Sequence, residues 1–316
     1  MNFSACWIAA ARWSSRLDFR PLVSALDQGP AALARAGAPA AFLRDVGKTS
    51  PLEGPSALRI DQPDYPKALL ALRRPPPLLW WRGERRVLER PALAIVGARS
   101  CTPYGRSTAS ALAREVAERD ATIVSGGARG IDTAAHQGCP RGVLVLGGGL
   151  DSGFTPAQRR LHRQVLDAGG VLLSELPPTD PGRRWTFPRR NRLIAALARA
   201  TVVVEAAEKS GSLYTAEAAR ELGLEVLAVP GRLGEKASAG CLGLLRSGAT
   251  CVTSVSDVAD RVGQPLSAEL VASLPATPLD LAVRLGKTPR AVLAMLALLE
   301  LRGIVGRMPD GRYGLC

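Results

Sequence analysis

Between Leu93 and Asp132 the chain reads LAIVGARSCTPYGRSTASALAREVAERDATIVSGGARGID. A short apolar run ends in Gly97-Ala98-Arg99. An amphipathic stretch follows, and a second apolar run ends in Ser125-Gly-Gly-Ala-Arg-Gly130. The pattern spells strand, turn, helix, strand, turn. Glycines stand where each strand must turn into a helix. Turns of that kind point backbone N–H groups outward at a helix N-terminus, where an anion can sit. Arg99 and Arg129 stand in the two turns, so the stretch is expected to hold phosphate.

The alternation continues to about Val258. Strands are expected at 93–97, 122–125, 143–147, 171–174, 201–205, 225–229 and 249–252. Helices are expected at 106–119, 131–138, 156–168, 190–199, 213–223 and 240–247. Val/Ile/Leu runs without polar alternation suit strands covered on both faces. The fold class is therefore α/β: a Rossmann-like, doubly wound, mostly parallel sheet, which binds ligands at the carboxyl ends of its strands.

The flanks read differently. Residues 1–55 are Ala- and Leu-rich with Gly and Pro breaks, and form a small helical domain. A docking module and a bundle packed on the main domain fit that segment equally. Residues 56–260 form the main domain. Its entry holds three consecutive prolines and Trp80-Trp81, and the tryptophans are expected to cover a sheet edge. A polar linker spans 261–273. Residues 274–316 give two short helices and a hairpin with Asp310-Gly311 at its turn, the outline of a winged helix. Its second helix, 289–301, is Ala/Leu-rich and poor in charge, which favours protein contact or packing over base reading.

Composition narrows the partner. The 316 residues carry a formal net charge of +13, an excess that favours a polyanion. Six cysteines form no CxxC pair, and two histidines are too few for a His-rich metal site. No metal or cofactor is expected. No apolar run approaches a membrane span of ~20 residues, and the N-terminus lacks the apolar core of a signal peptide. A cytoplasmic location is expected, with no membrane partner.

The glycine spacing is not GxGxxG, and no acid ends the second strand to hold a ribose. No GxxxxGK[ST] occurs either. Dinucleotide cofactors and P-loop triphosphatase chemistry are thus disfavoured, and Asp132 is read as a helix cap that orders its loop. The run Pro181-Gly-Arg-Arg-Trp-Thr-Phe-Pro-Arg-Arg-Asn-Arg192 places five arginines and two aromatics together without an acid. A charge run is usually a solvated face. Arginines interleaved with Trp185 and Phe187 beside glycine turns suit single-stranded nucleic acid better, through phosphate pairing and base stacking. At ~100° per residue Arg189 and Arg192 share a helix face that Arg190 leaves. At least one of the three is free to pair with Glu175 or Glu205 instead of a ligand. Further on, Lys209, Gly211 and the hydroxyls of Ser210, Ser212 and Thr215 form another anion-holding helix start, although hydroxyls there also serve as caps.

Taken in order, AIVGAR, SGGARGIDTAAH, VLGGGLD, LLSE, FPRRNRLIA, VVVEA, SGSLYTAEAA, AVPG and SAGC resemble the DprA/Smf family, the DNA-processing proteins of natural transformation. The resemblance is dense over about 60–258 and looser at the ends, where the family has a SAM-like helical domain and a winged helix. It implies a non-enzymatic mediator that binds and protects single-stranded DNA, forms homodimers, and loads RecA onto DNA covered by single-strand-binding protein. By position it implies DNA contacts from Gly97 and Arg99, from Ser125, Gly126, Gly127, Arg129 and Gly130, and from Arg184 and Phe187. It implies further contacts from Arg189, Arg190, Asn191 and Arg192, and from Lys209, Ser210, Gly211, Ser212 and Thr215. It places dimer contacts within 232–252, with Leu242, Leu245 and Cys251 as candidates. Phe154-Thr155 stands where the family usually has Tyr-Pro, Gln158 where it often has Asn, and Leu242 where Asn or His is common.

The competing reading is a Rossmann-fold nucleotide-phosphate hydrolase of the lysine-decarboxylase-like group, which resembles PGGxGTxxE at its active site. Here the turn is KSGSLYTAE: Glu217 keeps an acid nearby, but the double-glycine cradle is missing. A winged-helix regulator of duplex DNA is a third reading, opposed by the poorly charged second helix.

Overall fold

The computed structural model describes residues 2–3, 5–14, 16–48, 52–53, 56–262, 273–301 and 305–315. The chain divides into two compact units, Met1–Gly263 and Gln264–Cys316. Most of the expected linker, 263–272, lies outside the described residues.

The first unit is built on a nine-stranded sheet. Its strands are β3 (Ala57–Arg59), β4 (Leu78–Gly83), β5 (Ala92–Val96), β6 (Thr122–Ser125), β7 (Val143–Val145), β8 (Val171–Ser174), β9 (Ala200–Val203), β10 (Glu225–Ala228) and β11 (Thr250–Cys251). Their order is β11-β10-β9-β5-β6-β7-β8-β4-β3. The seven strands from β5 to β11 run parallel, while β4 is antiparallel to β8 and β3 to β4. β5, β6, β7, β8 and β9 are buried along their whole length, as uninterrupted apolar runs require. The Trp80-Trp81 segment is the one correction to this layer. It does not cover an edge but is itself a strand, with Trp80 fully buried and Trp81 opposite Leu173.

Six helices fill the gaps: α5 (Pro103–Glu118), α6 (Ile131–Gly138), α7 (Pro156–Asp167), α8 (Thr186–Ala196), α9 (Leu213–Glu221) and α10 (Ala239–Arg246). α11 (Ser256–Val262) closes the unit. α8 starts four residues before the expected 190, because Pro188 falls in its first turn, where no intrahelical N–H is needed. At α7 the unusual residues form a capping box. Thr155 Oγ1 accepts from the Gln158 N–H, and Gln158 Oε1 accepts from the Thr155 N–H. Phe154 packs edge-on to His162 at 4.5 Å.

The N-terminal helices α1 (Ala5–Trp13), α2 (Val23–Gln28), α3 (Pro30–Arg35) and α4 (Ala40–Gly47) share one apolar core with the sheet. β1 (Asn2–Phe3) pairs antiparallel with β2 (Leu52–Glu53) and brings the two ends of that segment together. Trp7 and Trp13 are anchored by indole N–H donation to Asp27 and Asp45. A bidentate Arg12–Asp180 pair ties α1 to the loop after β8.

The second unit holds α12 (Pro278–Arg284), α13 (Pro289–Leu301) and an antiparallel hairpin of β12 (Val305–Arg307) and β13 (Tyr313–Leu315). Leu281, Val292, Leu296 and Val305 form its small core. Among the described residues no helix is long and apolar enough to cross a membrane, and no group of three or more His, Cys, Asp or Glu could hold a metal. Cys6, Cys139 and Cys241 are buried, Cys101 is half-buried and Cys251 exposed, all as free thiols.

One buried group predicts a pH dependence. Both ring nitrogens of His136 on α6 are buried without a hydrogen-bond partner. Burial, followed by repulsion from His162, lowers its pKa to about 3. The unfolded chain therefore binds the proton first, and stability falls as pH drops from about 6.5 toward the folded value. We expect a loss of about 2 kcal/mol between pH 7 and pH 5 from this residue. Denaturant titrations at the two pH values should show it, and His136→Leu should remove most of it.

Candidate nucleic-acid interface

In a doubly wound sheet the crevice forms where neighbouring crossovers leave in opposite directions. Here that point lies between β5 and β9: the chain leaves β5 toward β6 and leaves β9 toward β10. A cleft of about 740 Å³ opens there, at the carboxyl ends of the strands.

The two glycine turns form its floor, in a way the sequence did not disclose. Their amides do not point outward. Asp132 Oδ2 accepts from the N–H groups of Gly126 and Ala128, each at 3.2 Å, and the Gly97 N–H also turns toward this carboxyl. The Ala98 N–H donates to the Glu205 carbonyl at 2.7 Å, and the Ile131 N–H to the Ala98 carbonyl at 3.2 Å. At the start of α5, Thr102 donates from its N–H and its hydroxyl to the Glu205 carboxylate. Two carboxyls of the chain itself thus occupy the places where a Rossmann protein holds phosphate. This corrects the expectation of a phosphate nest at the turns, and it gives a physical reason for the missing dinucleotide fingerprint.

Several glycines and Ser125 are consequently structural. The Ser125 hydroxyl is buried and donates to the Ile95 carbonyl at 2.7 Å. Gly127 and Gly130 have φ of +65° and +92°, which a side chain resists. A Cβ on Gly126 would run into the Arg190 guanidinium. None of these four lines the cleft, and neither does Arg129, which is exposed with Nη2 3.4 Å from Ser100 Oγ.

α8 divides the arginine run by its helical faces. Phe187, Arg190, Asn191 and Ile194 face the cleft. Arg190 is buried, donates to the Val145 carbonyl, and faces Asp132. Burial lowers its pKa to about 10, and the nearby Arg99 charge adds to that against the pull of Asp132. Burial likewise raises the Asp132 carboxyl above its usual range, against Arg190 and the three amides. Asn191 donates to the Gly211 carbonyl at 3.0 Å and fixes the Ser-Gly-Ser turn to α8.

Arg189 and Arg192 point the other way, as their shared face requires. They do not enter the cleft. Glu175, only 2% exposed, takes Arg189 Nε at 3.0 Å and Arg192 Nη2 at 2.5 Å. Arg189 also donates to the Ala11 carbonyl and Ser14, and Arg192 to the Arg74 carbonyl. These two arginines join α8 to the N-terminal helices and the segment before β4, and that role accounts for their burial.

The rim is cationic and aromatic. Arg99 and Arg184 line it from the turn after β5 and the approach to α8, both exposed. The Arg99 guanidinium sits 5.8 Å from the Phe187 ring centroid. The ring rests on Gly147, where a Cβ would come within 2.5 Å of it. Ser210, Gly211, Ser212 and Thr215 close the opposite side at the start of α9, which carries no side-chain cap. Lys209 is exposed but outside the lining. Lys236, in the loop after β10, was missed. It lines the cleft and is exposed, and its position beyond a strand's carboxyl end was the available signal. Of the residues proposed for dimer contact, Leu242 and Leu245 are half-buried on α10, and Cys251 is exposed on edge strand β11.

Fold and cleft together define a doubly wound α/β protein whose switch point presents a basic, aromatic-lined groove in place of a nucleotide fingerprint. The chain belongs to the DprA/Smf family: the family model described as DNA recombination-mediator protein A matches residues 56–263. The Mycobacterium tuberculosis protein named putative DNA processing protein DprA is 41% identical over 267 residues, covering 75% of this chain and 68% of that one. Escherichia coli Smf is 36% identical over 281 residues, covering 79% and 75%. The crystal structure of Streptococcus pneumoniae DprA superposes with a TM-score of 0.69 at 31% identity, covering 82% of this chain and 98% of that one. The Helicobacter pylori protein, whose structure is described as showing a unique single-stranded DNA binding mode, gives 0.59 at 31% identity and covers 65% and 95%.

Proposed function

We propose that the switch-point cleft binds single-stranded DNA, and that the chain acts without catalysis as a recombination mediator. One observation carries this reading. Arg99, Arg184, Lys236 and Phe187 line one open cleft, with Arg99 over the Phe187 ring, while the nests that would hold a nucleotide phosphate are filled by Asp132 and Glu205. Such a rim pairs with backbone phosphates and offers a ring to a base, without demanding a sequence. The Helicobacter pylori relative supports the same ligand. In this reading the protein protects incoming DNA, loads RecA, meets single-strand-binding protein on the same strand, and works as a cytoplasmic homodimer.

The test is by substitution. Arg99→Ala and Arg184→Ala should each weaken oligothymidylate binding and lower the salt slope by about one unit, with the fold intact. Phe187→Ala should cost roughly 1–3 kcal/mol with the slope almost unchanged. If Phe187→Ala unfolds the domain instead, the ring is a core residue and the stacking role fails.

For assembly, the half-buried Leu242 and Leu245 of α10 and the exposed Cys251 of edge strand β11 are the candidates for the contact of a symmetric dimer. Leu245→Arg should then sediment as a folded monomer, and a wild-type chain that is monomeric at micromolar concentration would sink the proposal. We read the second unit as a winged helix used for protein contact. Leu279, Val283 and Leu293 expose apolar surface on its two helices, which suits a protein better than a base edge.

A further inference from the structure

The face of α8 turned away from the cleft borders a second basic groove. It measures about 490 Å³ and is walled by Arg73 and Arg74 of the segment before β4, Arg189 and Arg192 of α8, and Ala218 and Leu222 at α9. Glu221 is the single acid on its wall. Arg73 is exposed, and its guanidinium makes no hydrogen bond or ion pair among the described residues. The Arg73 carbonyl accepts from Arg20 Nη2 at 3.3 Å, and the Arg20 charge is itself balanced by Asp18 at 2.6 Å.

Two observations point to an anion here. The first is charge. One buried carboxylate, Glu175, faces two guanidiniums, so the cluster beneath the groove keeps an excess positive charge. Arg189 Nη1 is buried there without a hydrogen-bond partner. Under-compensated buried charge is costly, and an anion at the mouth offsets it. The second is proximity. The cleft is lined by Ile194 of α8 and Thr215 of α9, and the groove, on the other face of α8, by Arg192 and Ala218 of the same two helices. From Thr215 to Ala218 is about 4.5 Å along a helix axis, comparable with the roughly 3.4 Å axial rise per nucleotide of one DNA strand.

We propose that this groove is a second phosphate site, which holds the backbone of the same single strand after it leaves the cleft. The proposal rests on the cleft binding single strands. Phosphodiester and free phosphate share the chemistry, so the experiment separates them.

Oligothymidylates from roughly 4 to 16 nucleotides are titrated onto the full chain and onto Arg73→Glu, Arg73→Gln and Arg99→Ala, with folding checked by circular dichroism. Arg73→Glu should leave the shortest oligomers unchanged and weaken the longest about tenfold, with the salt slope lower by about one unit. Arg73→Gln should show a smaller loss at the same lengths. Equal loss at every length, or no loss at any, overturns the proposal. So does saturation of the groove by inorganic phosphate with no dependence on strand length. Arg99→Ala should weaken all lengths. If it does not, the cleft assignment falls and takes the proposal with it; if it does, while Arg73→Glu loses nothing on the long strands, the proposal alone falls.

Discussion

Glu175→Ala is expected to destabilise the first unit by about 3–5 kcal/mol, a large share of the stability of a marginally stable domain. Glu175 follows β8 directly and is buried. Burial alone would raise its carboxyl, but Arg192 and Arg189 outweigh that and hold it below the usual range. It is therefore ionised at neutral pH. Its contribution is full above the ordinary carboxylate value and is lost as pH falls through the folded one. Removing it leaves two guanidiniums facing each other with no counter-charge. Arg189 also donates to Ala11 and Ser14, so the docking of α1 should loosen at the same time. Thermal melting and limited proteolysis within residues 1–48 measure the two effects. A Glu175→Ala chain that melts with the wild type would show the cluster to be dispensable.

Asp132→Ala is expected to cost about 2–4 kcal/mol, with a signature that a simple packing loss lacks. The change strips the acceptor from the Gly126 and Ala128 amides and removes the carboxyl that Arg190 faces. Each buried unsatisfied donor costs about 1–3 kcal/mol. The vacated nest then suits an inorganic anion, which binds only the folded state and so stabilises it. Added phosphate should raise the melting temperature of Asp132→Ala more than that of the wild type at matched ionic strength. Asp132→Asn keeps one acceptor and should lose less. Equal phosphate effects on both chains would mean that the turns form no nest.

The strands and the crossover helices were legible because their signals are local: apolar runs of strand length and glycines at the turns. Helical arithmetic on the arginine run held as well. Arg189 and Arg192 share a face, Arg190 leaves it, and Glu175 takes both members of the pair. What was not legible depends on where side chains from distant positions end up. Glu205 reaches Thr102 across 103 positions, and no spacing rule announces it. Asp132 read as a cap, but its reach to the amide of Gly126, six residues earlier, depends on Gly127 and Gly130 adopting positive φ. Trp80 and Trp81 lacked period-2 alternation because their strand is covered on both faces near its start, and the prolines before it suggested a connection. Lys236 was passed over because a lone lysine in a polar loop carries no pattern.

A cationic rim at the switch point should select single strands over duplex. The direct measurement is binding of a single-stranded oligomer and of its blunt duplex across a salt series, for the wild type and for Arg99→Ala/Arg184→Ala. Tighter binding to the single strand is expected, with a steep fall with salt and a slope about two units shallower in the double variant. Equal affinity for the duplex at moderate salt, or an unchanged slope in the double variant, would contradict it.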